Sequence, residues 1–283
     1  MEVIDRIDAW RKALDGERGA GRRVGIVPTM GALHRGHASL IERARADGPT
    51  VGVTVFVNPL QFGPGEDLDR YPRTLAADIE LAAAAGATHL FAPSTAEMYP
   101  APPATTVRVV GLAELWDGAS RPGHFDGVAT VVAKLLSQAG PCHAYFGEKD
   151  YQQLCVVRRL VADLDLPAVI VGCPTVREPD GLAVSSRNVF LTPAERAVAP
   201  VLHRALDAGA DVLAAAGHPD AARATMHAVL AAEPALSVLY AEPVDPDTLQ
   251  PLRAPLDPGG TARLLLAARL GRTRLIDNRG VTR

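Results

Sequence analysis

The sequence predicts an α/β fold, with a parallel sheet in a domain of residues 1–175 and a smaller domain of helices and strands over 176–283. Three observations predict it. Val24, Ile26 and Val27, Val51 to Val57, and Val169 to Val171 form continuous apolar runs, as in strands buried on both faces. Between these runs apolar residues recur at helical spacing, which is the strand–helix alternation of a parallel sheet. Near Thr175 both composition and period change, which places the domain boundary there.

Taken in order, Ile7, Trp10, Ala13 and Leu14 line one face of a helix predicted over 5–19, and glycines end it. A strand at 24–27 passes through Pro28 and Gly31 into a helix whose face carries Leu40, Ile41 and Ala44. The strand predicted at 50–57 stops at Asn58-Pro59, because proline cannot donate to a ladder. Residues 60–73 are too long and too rich in glycine, proline and charge for a simple connector, and a lid over 63–71 is expected. A helix over 74–86, a strand at 89–91, an edge strand or hairpin arm at 106–110, a helix at 128–138 and a strand at 144–146 follow. After a strand at 168–172, one long helix over 193–216, another over 219–232 and strands near 238–240, 262–267 and 273–276 make up the second domain.

Composition narrows the function. With 283 residues, 48% of them hydrophobic, the chain can bury a large core. Its net charge of −3 supplies no basic field, so nucleic acid is not an expected partner and phosphate binding must be local. No apolar run reaches membrane-spanning length, and Met1 to Arg6 lack a signal-peptide pattern, so the expectation is a cytoplasmic protein without a membrane partner. Cys142, Cys155 and Cys173 are few and widely spaced in apolar surroundings, and read as core thiols.

The chemistry concentrates in turns that follow strands. His34-Arg35-Gly36-His37 falls where a strand hands over to a helix, and the first amides and dipole of a helix suit an anion. Histidines so placed also read as surface or capping residues, or as half of a metal site. Asn58 sits at the carboxyl end of a strand, where ligands of open sheets bind. Gly147, Glu148, Lys149 and Asp150 repeat the same strand–turn–helix logic, and Arg121 stands out in the turn-rich stretch 121–127.

Four segments in order, 28–37, 56–62, 146–153 and 176–188, together with Arg121-Pro122-Gly123-His124-Phe125, resemble the pantothenate synthetase (pantoate:β-alanine ligase) family of the nucleotidylyltransferase superfamily. The resemblance spans nearly the whole chain. It implies a Rossmann-like domain, a smaller carboxyl-terminal domain closing over the site, a cytoplasmic homodimer, and two steps using ATP with Mg2+. Pantoate is adenylated with loss of pyrophosphate, and β-alanine then displaces AMP to give pantothenate.

It also implies ATP contacts at Met30, Gly31, Ala32, Leu33, His34, Arg35, Gly36 and His37, with His37 as the proton donor. Further ATP contacts fall at Gly147, Glu148, Lys149, Asp150, Val176, Val184, Ser185, Ser186 and Arg187. Gln61 and Gln153 are implied as pantoate contacts, and neutral amides suit a carboxylate that must remain nucleophilic. Asn58 and Arg121 are expected on the substrate side. Val184 replaces the methionine of many relatives, a change that a backbone contact survives. His34, His37, Lys149 and Arg187 are the types that stabilise charge growing on phosphate. The magnesium ligands are not specified: Asp78 and Asp150 could take part, and Asp78 reads rather as a helix-capping or surface acid.

Overall fold

The computed structural model describes residues 1–66 and 68–283. Its elements are β1 (Glu2–Ile4), α1 (Ile7–Gly19), β2 (Val24–Thr29), α2 (Arg35–Asp47), β3 (Thr50–Val55), α3 (Leu75–Ala84), β4 (His89–Phe91), α4 (Thr95–Met98), α5 (Trp116–Ser120), α6 (His124–Ala139), β5 (Cys142–Gly147), α7 (Tyr151–Asp163) and β6 (Ala168–Cys173). Then come α8 (Pro193–Val198), α9 (Val201–Ala216), α10 (Pro219–Ala231), β7 (Leu236–Val244), β8 (Thr261–Leu270) and β9 (Thr273–Thr282). Two units divide them, one of residues 1–148 and 152–174, the other of residues 149–151 and 175–283.

In the first unit the described strands form a six-stranded sheet in the order β1-β4-β3-β2-β5-β6, with every pairing parallel. The chain leaves β2 outward to β3 and β4, then returns to β5 on the other side. Strand order therefore reverses between β2 and β5, and the carboxyl ends of those two strands flank the crevice where open α/β sheets take ligands. One face buries Val27, Leu40, Ile41, Val51, Val53, Leu90 and Tyr145. On the other, Trp10 stacks on Phe91 with centroids 5.1 Å apart. Gly52 permits this, since a Cβ there would come within 2.5 Å of the Trp10 ring.

The second unit packs α9 and α10 on an antiparallel sheet of order β7-β8-β9, burying Leu202, Leu206, Leu213, Met226, Leu230, Leu264 and Leu266. Arg177 makes a bidentate pair with buried Asp277 of β9, at 2.6 and 2.9 Å, which pins the strand-like segment before Val184.

Several expectations are corrected. Residues 106–110 form no strand; the Val107 amide donates to the Thr130 hydroxyl instead of to a ladder. The long helix of 193–216 is two, broken at Pro200, which cannot donate to the preceding turn. α6 begins at His124, four residues earlier than predicted, because Gly123 takes φ +82 at its cap. β1 escaped notice, since three residues carry little periodicity and its place is set by pairing with β4. The three cysteines are free and buried, and burial pushes the Cys142 thiol up to about 12.

Candidate active site

The turn after β2 is built on the chain's own anion. Gly31 takes φ +81 and Ala32 φ +49, left-handed values that strain a residue with a side chain. The amides of Ala32 and Leu33 donate to the two oxygens of Asp78 at 3.2 and 2.7 Å, and the Gly31 amide donates to the Thr29 hydroxyl at 3.1 Å. Asp78 is 2% exposed and also accepts from Thr74 Oγ1, so it is neither a surface acid nor a cap of its own helix. Its carboxylate fills the concavity that the turn amides make. Asp78→Asn puts an amide nitrogen against one of those donors. The expected result is about 1–2 kcal/mol of lost stability and a raised KM for ATP with the KM for pantoate unchanged, measured by melting and initial rates.

Beyond the turn, His34 and His37 cap α2 reciprocally. His34 Nδ1 accepts from the Gly36 amide and His37 Nδ1 accepts from the His34 amide, each at 3.2 Å, while the rings stack with centroids 4.0 Å apart. The Gly36 and His37 amides are thus already bonded, the latter to the His34 carbonyl at 2.8 Å. A nitrogen that accepts a backbone N–H carries no proton, so each neutral ring bears its proton on Nε2. The turn therefore carries two imidazole Nε2–H groups, whereas its composition alone drew attention to backbone amides. Met30 is half-buried beside it and Arg35 is exposed.

After β3, Asn58 caps a 3-10 turn over Pro59–Gln61 and is 1% exposed. All of its bonding capacity is used. Its Oδ1 accepts from the Leu60 amide and Tyr99, and its Nδ2 donates to Gly127 O at 3.0 Å and Gln61 Oε1 at 3.1 Å. Gln61, 7% exposed, turns its Nε2 toward Met30 Sδ at 2.9 Å. Asn58 is thereby an orienter of Gln61 rather than a group with a hand to spare.

Arg121 is likewise committed. It pairs with both Glu66 oxygens at 2.6 and 2.7 Å and donates to His124 Nε2 at 2.9 Å, while His124 Nδ1 donates to the Gln61 carbonyl at 2.8 Å. Burial, then the Arg121 charge, lowers His124 to about 4. Burial alone would raise Glu66, but its bonds to Arg121 outweigh this and hold it low. The expected 63–71 lid contributes Glu66 to this pair, and its Asp67 lies outside the described residues.

Between about pH 6.5 and 4 the unfolded chain protonates His124 and the folded chain does not, so stability from this group is complete above 6.5 and falls as the pH drops to 4. A loss of about 1–3 kcal/mol is expected across that window. Melting curves of the protein and of His124→Asn should show the slope in the first and a flatter profile in the second.

Gln153, half-buried, lies one position from Gln152, which is buried and bonds Leu112 O, Leu115 O and the Asp117 amide. In the second unit, the Lys149 carbonyl accepts from Asn278 Nδ2 at 2.8 Å, and Lys149 Nζ lies 3.7 Å from Asp150. Arg263 sits 3.9 Å over the Tyr151 ring, so residues 149–151 ride on the small sheet. Val184 donates its amide to Val176 O at 2.9 Å, and Ser185 Oγ caps the turn Ser186–Phe190 through the Arg187 amide. Gly147 ends β5, directly before Glu148. Among the described residues no group of three or more His, Cys, Asp or Glu is placed to hold a metal, and no helix is long and apolar enough to cross a membrane.

A parallel sheet whose reversal point is bordered by a histidine-capped helix and a second polar turn defines a Rossmann-like α/β enzyme. The pantoate-beta-alanine ligase family model matches residues 2–280. Pantothenate synthetases of Rhizorhabdus wittichii and Thermus thermophilus are each 53% identical to the chain, covering 99% of both chains in the first case and 98% in the second. The crystal structure of the Thermus thermophilus enzyme aligns over 99% of each chain with TM-score 0.92 and 52% identity. That of the Francisella tularensis pantoate-beta-alanine ligase, complexed with beta-gamma ATP and beta-alanine, aligns over 99% of this chain and 97% of its own with TM-score 0.79 and 33% identity. The chain belongs to the pantoate-beta-alanine ligase family, enzymes that condense pantoate with β-alanine at the expense of ATP.

Proposed function

We propose that the histidine-capped turn after β2 is where this chain activates pantoate with ATP. The observation that carries the reading is the reciprocal histidine cap of α2, each ring's Nδ1 accepting a backbone amide, at the carboxyl end of β2 beside the β2–β5 reversal point. A pantoate carboxylate oxygen attacks the α-phosphorus, and the bond from that phosphorus to the bridging oxygen breaks. Charge then grows on the bridging oxygen, and a donor placed there stabilises the transition state more than the ground state. His37 donates a hydrogen bond to that oxygen from Nε2, with His34 beside it.

Met30, Gly31, Ala32, Leu33, Arg35 and Gly36 shape the same ATP site, and Gly147, Glu148, Lys149, Asp150, Val176, Val184, Ser185, Ser186 and Arg187 supply its further contacts. Lys149 meets phosphate as a point charge and Arg187 as a planar fork, so neither replaces the other. Gln61 and Gln153 hold pantoate, while Asn58 and Arg121 act behind them. In the second step the β-alanine amine attacks the acyl carbon, AMP leaves, and the amine loses its proton.

The Asp78 oxygens are turned to amides and the described acids make no cage, so magnesium finds no protein-only site here. It would enter with the triphosphate oxygens, and no step is assigned to it. The 63–71 loop, tied by Glu66 to Arg121, shelters the adenylate from water. Family resemblance further supports a cytoplasmic homodimer.

The test is isotope exchange of pyrophosphate into ATP with pantoate present and β-alanine absent. Exchange is the expected result. Its absence, with transfer only to phosphate-ester acceptors, would overturn the reading.

A further inference from the structure

We infer that Tyr99, at the end of α4, is a positioning residue that helps hold Asn58, and through it the Gln61 amide, in the orientation facing pantoate; the inference rests on the reading of Gln61 as a pantoate contact. The Tyr99 hydroxyl donates to Asn58 Oδ1 at 2.9 Å.

The orientation of Asn58 follows from backbone groups that have only one role. The Leu60 N–H can only donate and the Gly127 carbonyl can only accept, and they lie 3.3 Å from Oδ1 and 3.0 Å from Nδ2 respectively. With the amide so fixed, its second nitrogen proton points at the Gln61 side chain, 3.1 Å away. Gln61 must answer with its oxygen, which leaves its NH2 group facing the Met30 side and available as a donor to a carboxylate or hydroxyl. Reversing Gln61 would set two NH2 groups against each other in a buried place and present pantoate's carboxylate with an acceptor.

Tyr99 completes the set by filling the second lone pair of Asn58 Oδ1. Its ring is held against Phe56, with centroids 6.0 Å apart, and beneath Lys134 Nζ at 5.5 Å. Burial keeps the phenol protonated, pushing it up to about 12, so it remains a donor throughout the working range. Ring packing and hydroxyl donation are therefore separable, and Tyr99→Phe removes only the second.

The experiment measures KM for pantoate and for ATP, kcat and melting temperature for Tyr99→Phe, Gln61→Ala and the double variant. The expected result is a pantoate KM raised about five- to tenfold by Tyr99→Phe, with ATP KM and kcat within about twofold. In the Gln61→Ala background the same change should have no further effect on pantoate KM, because the group being oriented is gone. An unchanged pantoate KM in Tyr99→Phe, or pantoate and ATP KM rising together as the melting temperature falls, overturns the inference while leaving Gln61's role intact. If Gln61→Ala itself leaves pantoate KM unchanged, the underlying reading of Gln61 fails, and the inference with it.

Discussion

Replacing His37 with alanine is expected to slow adenylate formation by about 10²–10⁴-fold, read as pyrophosphate exchange and as single-turnover AMP production. The size follows from what is lost at the bridging oxygen: a donor that strengthens only as charge develops. Loss of fold is not the expected cause. His37 is half-buried and contributes one cap acceptor for the His34 amide and one stacked ring, so its removal should cost about 1 kcal/mol of stability. Pantoate and ATP KM should shift much less than kcat, as expected for an interaction made in the transition state. A variant that exchanges pyrophosphate at the wild-type rate would remove His37 from the chemistry. One whose melting temperature collapsed along with its activity would point to the cap instead.

Gly127→Ala should be among the most damaging small substitutions in the first unit. Gly127 lies in the first turns of α6 against the Pro59–Gln61 turn, where an added Cβ would overlap the Leu60 carbonyl and come within 2.6 Å of Gln61 Cα. Both neighbours are backbone, so no rotamer change relieves the overlap. α6 cannot retreat easily, because Phe125, Val128, Ala129 and Val132 hold it in the core. The turn cannot yield without breaking the bond from Asn58 to the Gly127 carbonyl, and with it the orientation of Gln61. The expected loss is about 3 kcal/mol, with pantoate kcat/KM falling at least about tenfold from displacement of Gln61. Thermal melts and initial rates check both. A folded variant with unchanged melting temperature and pantoate KM would show that the helix and turn are not held as rigidly as their contacts require.

Legibility followed the range of the interactions. The β2 turn, with its Pro28, Gly31 and paired histidines, could be recognised as a ligand-facing junction because one short stretch holds the strand, the break and the cap. Gln61 and Asn58 could be placed at the end of β3 for the same reason. Asp78 could not be assigned correctly: on its own helix it reads as an acid in the first turns, and its partners Ala32 and Leu33 lie more than forty residues away. Arg121 drew notice as a charge in a turn, yet Glu66, 55 positions distant, decides what its guanidinium does. Tyr99 and Gly127 carry no local signal, since a lone tyrosine and a helical glycine gain meaning only from what is packed on them.

By itself the sequence determined the strand–helix alternation that makes the parallel sheet and the family to which the chain belongs. Periodicity, turn chemistry and short motifs are local and survive in a linear reading. Only the tertiary structure decided that β2 and β5 are neighbours at the reversal of strand order, that an internal carboxylate fills the turn amides, and that the histidines present Nε2 rather than Nδ1. Each depends on which buried polar groups meet across the fold. A buried donor or acceptor must find a partner wherever the packing places one, and that place is not written in the residues beside it.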